Sequence, residues 1–347
     1  MPSTHEKRKI HLIRFGSGAN SENSNLNDRI ETVGVTIFRP ISCIESRKLM
    51  NRRVPKSYLH QSRLKDYVSL VRPANLVTAG ADILAGAVIT GGHGRALVCL
   101  VTASVCLYAG GVVLNDFFDR RLDAIERPER AIPSGRVPAI AAAILGFALL
   151  PLGVMFALQN SRTSAFIALL IAACVLLYDI GAKPRAAGPF VMSSCRALNL
   201  LLGISILPNM LSTFGFLALI PLVYILAITT LSRGEVYGGS QSSARTTLLL
   251  FGLVVLAVLG VGGASADRFF RVVPFALLLC FRVGTALVQV YRQPTAELVR
   301  AGVHAGVVSL IVLDAALAAS FRGVVQGAAI LSLAVLAAEF ARFFAVT

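Results

Sequence analysis

The feature that most constrains this chain is a series of long apolar runs, separated by short polar loops. From about residue 67 to the C-terminal end, most of these runs approach the roughly 20 residues that an α-helix needs to cross a bilayer. Hydrophobic residues make up 55% of the 347 residues and charged residues only 15%. A chain of this composition is too apolar for a soluble domain, so we predict a multi-pass membrane protein of the all-α class.

The apolar runs predict nine to ten transmembrane helices. Several contain glycine or proline, which membrane helices tolerate when neighbouring helices pack against them. The last pair is the least regular, so nine helices are the alternative to ten. The ten predicted segments lie near residues 68–90, 96–118, 138–157, 164–180, 188–208, 214–232, 246–264, 271–291, 300–320 and 323–344.

The first 66 residues differ from the remainder. They are polar, rich in Ser, Asn and Arg, and have no sustained apolar run. We therefore predict two parts, a basic and mostly disordered tail at 1–66 and a transmembrane domain at 67–347. The tail shows no apolar core of a signal peptide, and translation from Met50 is an alternative start.

The charge pattern predicts the orientation in the membrane. The formal net charge of +15 would suggest nucleic acid in a soluble protein, but no basic and aromatic cluster supports that, and anionic lipid is the expected partner. With the N-terminus in the cytoplasm, eleven Lys and Arg residues fall in cytoplasmic loops and five in the opposite loops. The positive-inside rule therefore favours a cytoplasmic N-terminus, most simply in a bacterial cytoplasmic membrane.

An acidic motif follows directly after the second apolar run. Asn115, Asp116, Asp119 and Asp123 lie within nine residues, and a continuing helix would bring Asn115, Asp119 and Asp123 onto one face. Carboxylates so close together repel unless a cation joins them, and Mg²⁺ prefers oxygen ligands together with substrate phosphates. Arginines suited to phosphate follow in the loop that ends at Arg136. The alternative is an ordinary solvated loop.

Three further places on the same side carry polar residues at membrane edges. Asp82, inside the first helix, either faces a cavity or makes an interhelical hydrogen bond. His304, Asp314 and Glu339 near the last helices fit interhelical polar contacts better than catalysis. The three places are Arg72, Asn75 and Asp82; Tyr178, Asp179, Lys183, Arg185, Arg196 and Asn199; and Arg233 with Glu235.

The segments NDFFDRRLD and RAIPSGR resemble the first Asp-rich motif and following loop of the UbiA superfamily of intramembrane prenyltransferases. Asn115, Asp116, Asp119 and Asp123 fill every position of the family pattern N-D-x-x-D-x-x-x-D. The resemblance covers about residues 67–290. It implies a helical bundle with a central cavity open to the cytoplasmic side, Mg²⁺ as cofactor, and transfer of a prenyl group from its diphosphate to an often aromatic small acceptor.

The resemblance also suggests roles for individual residues. We expect Asp119, Asp123, Lys183 and Tyr178 to be catalytic. The expected metal ligands are Asn115, Asp116, Asp119, Asp123 and Glu235. The expected diphosphate ligands are Arg130, Arg136, Lys183 and Arg196, and the expected acceptor contacts are Asn75, Asp82 and Tyr178.

Two departures from the family pattern indicate a divergent branch. The second motif, D-x-x-x-D, aligns with Glu235 to Gly239, so one carboxylate is replaced by glutamate and the other is absent. An extra apolar segment follows at the C-terminal end. The segment SRGEVYGG is similar to that of UbiA-like proteins from bacterial ebo gene clusters. The rival interpretation is a non-catalytic or transport-associated membrane protein on the same fold, and no oligomeric state is predicted.

Overall fold

The computed structural model describes residues 64–183, 185, 187–235 and 238–343. Most of the predicted tail lies outside these residues, and its predicted disorder stays a prediction. Within the described part the chain is helical, with no strand. The all-α prediction is confirmed.

Thirteen α-helical segments of eight residues or more lie between residues 73 and 343 of the described chain. Three junctions between these segments are not regular α-helix. Two of them are π-helical turns, at Tyr178–Ala182 and at Cys280–Gly284. The third consists of the 3₁₀ turns Pro208–Met210 and Gly215–Ala218 with the single α-helical turn Leu211–Phe214 between them. The segments are α1 Pro73–Thr90, α2 Arg95–Glu126, α3 Ala139–Leu158, α4 Arg162–Leu177, α5 Gly188–Ile204, α6 Leu219–Ser232, α7 Gln241–Gly262, α8 Ala266–Leu279, α9 Thr285–Arg292, α10 Ala296–Val308, α11 Leu310–Arg322, α12 Val324–Leu331 and α13 Leu333–Phe343.

Nine stretches of the described chain are long and apolar enough to cross a membrane, and α5 is a tenth, shorter apolar helix. Three of the nine combine two α segments: Ala266–Arg292 joins α8 to α9, Ala296–Arg322 joins α10 to α11, and Val324–Phe343 joins α12 to α13. The range of nine to ten predicted helices agrees with this count. The chain is an integral multi-pass membrane protein.

Helix α2 is much longer than the predicted segment 96–118. Its 32 residues correspond to about 48 Å at 1.5 Å per residue, against roughly 30 Å for the hydrocarbon core. Asn115 is twenty residues beyond Arg95, or about 30 Å along the axis. The acidic motif therefore continues the membrane helix at its exit, as rigid helix and not as loop.

The entry to α1 begins earlier than predicted. Residues 64–70 are helical, although the predicted tail extends to 66. Arg72 then adopts a left-handed conformation with φ 51°, the only described residue other than glycine with positive φ, and Pro73 starts α1. Leu70 packs with Val113 and Ile132, so this short helix is attached to α2 and its following loop.

The centre of the bundle is formed by α1, α5 and α11. Residues 310–320 of α11 are all buried, and α1 is buried over most of its length. Helices α1 and α5 touch through two glycines, because a Cβ on Gly86 would lie 2.8 Å from the Cα of Gly203. Small residues at such crossings allow backbones to approach closely in membranes.

This crossing gives a stability prediction. Gly86→Ala places a methyl group within 2.5 Å of the Ile204 backbone nitrogen and should destabilise the fold by about 1–3 kcal/mol. Gly252→Ala in α7 is the matched control, since a Cβ there meets no atom within 4 Å. Thermal unfolding of the two detergent-solubilised variants should separate them clearly. Equal melting temperatures would contradict the tight crossing.

Candidate active site

Four connections meet at one end of the bundle. Arg127, after α2, pairs with Glu235, after α6, at 3.4 Å. Arg233 donates a hydrogen bond to the carbonyl of Arg185, and the Gly239 amide donates to the carbonyl of Pro294. The loops that the charge pattern assigns to one side of the membrane are thus joined to each other.

A cavity of about 330 Å³ opens between these loops and runs into the bundle. Its polar lining includes Arg72, Asn115, Asp179, Lys183 and Glu235 near the loops. Its apolar lining comes from α2, α4, α6, α10 and α11. These residues are Leu107, Val112, Ile171, Val175, Ile225, Ile228, Val303, Val307 and Leu310. The cavity therefore combines a charged entrance with an apolar interior.

The acidic motif divides into two pairs. Asp116 and Asp123, seven residues apart, both accept hydrogen bonds from Arg130, at 3.2 and 2.8 Å. Asn115 and Asp119 instead share Lys183. The helix continues as predicted and keeps Asn115, Asp119 and Asp123 within about 80° of one another, but Asp123 shares its cation with Asp116 and not with Asn115 and Asp119. Seven residues are almost two full helical turns, whereas eight residues overshoot by most of a quarter turn.

Asn115 lines the cavity entrance, whereas Asp119 is not a lining residue and is connected to the entrance through Lys183. Lys183 Nζ forms an ion pair with Asp119 and lies 3.5 Å from Asn115 Oδ1. Asn115 Nδ2 donates to Asp179 Oδ1 at 2.9 Å. Lys183 also lies 5.9 Å from the centre of the Tyr178 ring, a cation–π distance. The first motif is thereby connected to the turn that follows α4.

The pair Asp116 and Asp123 is more deeply buried. Both are less than a tenth exposed, and Arg72 adds a second cation to Asp116 at 2.6 Å. Two guanidinium groups thus compensate two carboxylates in a partly desolvated place, as buried charges require. Neither Asp116, Asp123 nor Arg130 lines the cavity, so in this structure they support the entrance from behind.

Other predicted site residues fall in three different places. Asn75 and Tyr178 line the cavity. Arg136 is exposed and bonds to Asp66, Ser134 and the carbonyl of Glu129, away from the cavity lining. Asp82 is fully buried in α1 and forms the interhelical contact that was one of its two expected alternatives, with Arg196 of α5.

The second motif is reduced in the structure as it is in the sequence. Glu235 lines the cavity, whereas Gly239 brings no side chain and packs against Val299 and Pro294. Left-handed backbone occurs at the neighbouring Gly238, with φ 91°. One carboxylate therefore faces the first motif from this side.

Two residues at the entrance were noticed in the sequence without being given a role. Asp179 lies in the π-helical turn Tyr178–Ala182, and such turns often occur at functional sites. Its Oδ2 atom is buried and has no hydrogen-bond partner among the described residues. Arg72 lines the cavity from its strained position before α1. Both Asp179 and Arg72 are polar residues at a helix end close to a predicted ligand, and this position in the sequence was the signal that could have identified them.

The donor set at the entrance fits Mg²⁺. Among the described residues no three carboxylate, His or Cys side chains converge on one point, and Lys183, Arg72 and Arg130 pair with the carboxylates. The free oxygen of Asp179 nevertheless lies beside Asn115 and Lys183, among further oxygen donors. An all-oxygen set with one unpaired carboxylate oxygen suits a hard divalent cation.

The chain matches a family model. The model of the UbiA prenyltransferase family matches residues 76–304, more than half of the chain. A curated relative, digeranylgeranylglyceryl phosphate synthase of Methanothrix thermoacetophila, is 33% identical over 171 residues. That alignment covers 48% of this chain and 61% of the relative. The chain spans about three fifths of the length of this relative.

Solved structures show the same architecture. A UbiA homolog from Aeropyrum pernix K1, in its apo form, has a TM-score of 0.59 at 12% identity, covering 71% of this chain and 97% of that one. A UbiA homolog from Archaeoglobus fulgidus bound to DMAPP and Mg²⁺ has a TM-score of 0.54 at 14% identity, covering 77% and 99%. These likenesses establish the helical fold.

The fold and the charged cavity entrance define an intramembrane protein of prenyltransferase architecture. The chain belongs to the UbiA prenyltransferase family.

Proposed function

We propose that this protein transfers a prenyl group from an isoprenyl diphosphate to an acceptor inside the membrane, in a Mg²⁺-dependent reaction. One observation carries the proposal: a single cavity joins an entrance of paired carboxylates and cations to an apolar interior. An isoprenyl diphosphate has the same two parts, a highly charged head and a hydrocarbon chain. The Archaeoglobus homolog bound to DMAPP and Mg²⁺ supports the choice of donor and metal.

Different residues at the entrance would bind the Mg²⁺ and the diphosphate head group. Asn115, Asp119 and Asp179 would hold Mg²⁺, with Asp116 and Asp123 behind them, and Glu235 would contribute from the reduced second motif. Bound Mg²⁺ supplies charge neutralisation for the departing diphosphate. Lys183 and Arg72 line the entrance and offer cationic donors to phosphate oxygens. Arg130 and Arg136 do not line the cavity, so we assign Arg130 to support of the acidic motif and Arg136 to support of the loop.

The reaction needs three things from the chain itself. The bond between the allylic carbon and the diphosphate oxygen breaks with its electron pair on the diphosphate, so cationic donors must face that oxygen. The apolar lining, including Leu107, Val175 and Ile228, holds the chain and excludes water from the allylic cation. The acceptor then bonds to the allylic carbon and loses a proton. Asp179 and Glu235 are the two described carboxylates that line the cavity and are the available bases.

We further propose that the entrance faces the cytoplasm. Support comes from the eleven basic residues assigned to that side, which include Lys183 and the arginines around the acidic motif. Cytoplasmic diphosphates would then reach the cavity without crossing the membrane. The proposed location is the cytoplasmic membrane, with a cytoplasmic N-terminus.

Orientation can be tested by cysteine labelling. In a cysteine-free background, Ser134→Cys should react with membrane-impermeant maleimide only after the cytoplasmic side is opened. His93→Cys, at the far end of α1, should react in intact cells, and both positions are exposed in the structure. Reaction of Ser134→Cys from outside would reverse the proposed orientation.

Two classes of acceptor are candidates for this reaction. An aromatic acceptor is the sequence-based expectation, whereas the name of the Methanothrix relative points to a glyceryl phosphate. Purified protein with Mg²⁺ and labelled geranyl diphosphate should be offered geranylgeranylglyceryl phosphate, 4-hydroxybenzoate and a total lipid extract. A new prenylated product supports the proposal. Geranyl diphosphate left untransferred with all three would favour a non-catalytic protein on this fold.

The unequal motifs predict unequal losses of activity. Asp119→Ala removes a carboxylate from the stronger motif and should lower turnover by about 100-fold or more. Glu235→Ala acts on the reduced motif and should cost about tenfold or less, because the diphosphate itself supplies oxygen ligands. Initial rates at saturating Mg²⁺ measure both effects.

The control is Asp267→Ala, an exposed acid at the start of α8 that should leave the rate unchanged. A Glu235→Ala rate as low as that of Asp119→Ala would show that both motifs contribute equally.

A further inference from the structure

A second polar cluster lies deep in the bundle, apart from the entrance. It joins α1, α5 and α11 through Asp82, Arg196 and Asp314, all of which are less than a tenth exposed. Arg196 Nε lies 2.8 Å from Asp82 Oδ2, close enough for an ion pair although the N–H is not directed at that oxygen. Arg196 Nη2 donates to the carbonyl of Thr78 at 2.7 Å.

The same cluster reaches the cavity. Arg196 lines it together with Thr78, Ser104 and Asn199. Asn199 donates to Asp82 Oδ2 at 2.7 Å and accepts from Ser104 at 2.7 Å. Ser104 is eleven residues before Asn115 on α2, which places it about 16 Å along the helix from the entrance. The otherwise apolar interior therefore contains a polar patch far from the diphosphate end.

Asp314 completes this cluster from outside the family match, which ends at residue 304. Asp82 Oδ1 and Asp314 Oδ2 are both buried without a hydrogen-bond donor among the described residues. Helices α1 and α11, which carry these two carboxyl groups, pack against each other. We infer that a proton shared between the two carboxyl groups satisfies both oxygens, and we place it on Asp314 because Asp82 lies beside the Arg196 guanidinium. One guanidinium and one ionised carboxylate then leave the cluster neutral, as a low-dielectric interior favours.

The guanidinium keeps spare donors in this arrangement. Its Nη2 donates to the Thr78 carbonyl and its Nε lies beside Asp82 without a directed hydrogen bond, whereas Nη1 makes no hydrogen bond to a described residue. Because Asp82 already compensates the charge of Arg196, an anion gains little there. A neutral oxygen atom, such as a hydroxyl, carbonyl or ether oxygen, is the better partner for the free N–H groups. The diphosphate role expected for Arg196 is thus less suited to its place than contact with an acceptor.

We propose that Arg196 binds an uncharged oxygen of the acceptor, and that Asp314 is a positioning residue which holds Arg196 through Asp82. The proposal rests on the prenyltransferase function proposed above. It assigns a site role to helix α11, which also contributes Leu310 to the cavity lining.

The test compares acceptor use with donor binding. The probes are geranyl diphosphate with Mg²⁺ and whichever of geranylgeranylglyceryl phosphate and 4-hydroxybenzoate the wild-type protein prenylates. Asp314→Ala should raise the acceptor KM about tenfold, while the Kd for geranyl diphosphate, measured without acceptor, stays within about twofold. Asp314→Asn should behave like the wild type, because an amide still donates to Asp82.

Arg196→Gln provides a second route if Asp314→Ala fails to fold, since it removes the donor and leaves Asp314 in place. It should raise the acceptor KM in the same way. A larger Kd for geranyl diphosphate with an unchanged acceptor KM would overturn the proposal. The proposal would also be overturned if Asp314→Ala behaved like the wild type, or if Asp314→Asn were as defective as Asp314→Ala. Failure of the proposed function is recognised separately, since the wild-type protein would then transfer to neither acceptor, and the role of Arg196 would fall with it.

Discussion

The pairing of carboxylates with cations at a membrane edge is the interaction on which the site depends. Four acidic side chains near the end of α2 and after α4 would repel each other in a partly desolvated place. Arg130 and Arg72 compensate the rear pair, Asp116 and Asp123, and Lys183 compensates Asp119. These contacts bring the loop after α2 and the turn after α4 together. The charge balance therefore shapes the entrance before any substrate arrives.

This charge balance also explains how one entrance could bind both a metal ion and a diphosphate. Lys183 pairs with Asp119 in the structure, and both are candidates for contact with a metal-bound diphosphate. If Mg²⁺ bound the Asp119 carboxylate and a phosphate bound the Lys183 ammonium, each side chain would exchange its present partner for a new one of opposite charge. The rear pair keeps Arg130, so the helical end that carries Asp119 stays supported during that exchange.

Much of the fold follows from the sequence because hydrophobicity and length decide which segments span a bilayer. The acidic motif and Lys183 also followed, since their spacing at helix ends is a local property. The division of the motif into Asp116 with Asp123 and Asn115 with Asp119 did not follow, because it depends on where Arg130 and Lys183 come to lie. Asp82 offered two alternatives until α5 brought Arg196 against it.

The role of α11 was the least accessible from the sequence. Asp314 was expected to be an ordinary interhelical polar group, and in burial it is one. Only the packing of α11 against α1 brings this buried carboxyl group to the helix that carries Asp82, the partner of the cavity residue Arg196. Long-range packing of this kind leaves no local pattern in the sequence, whereas periodicity and motif spacing do.

The central claim, that the entrance holds a diphosphate through Mg²⁺ and the first acidic motif, is tested most directly by binding. Geranyl diphosphate affinity should be measured against Mg²⁺ concentration for the wild-type protein and for Asp119→Ala. Binding that tightens with Mg²⁺ in the wild type and loses this dependence in Asp119→Ala is the expected result. Wild-type binding that is independent of Mg²⁺ and unchanged by Asp119→Ala would contradict it.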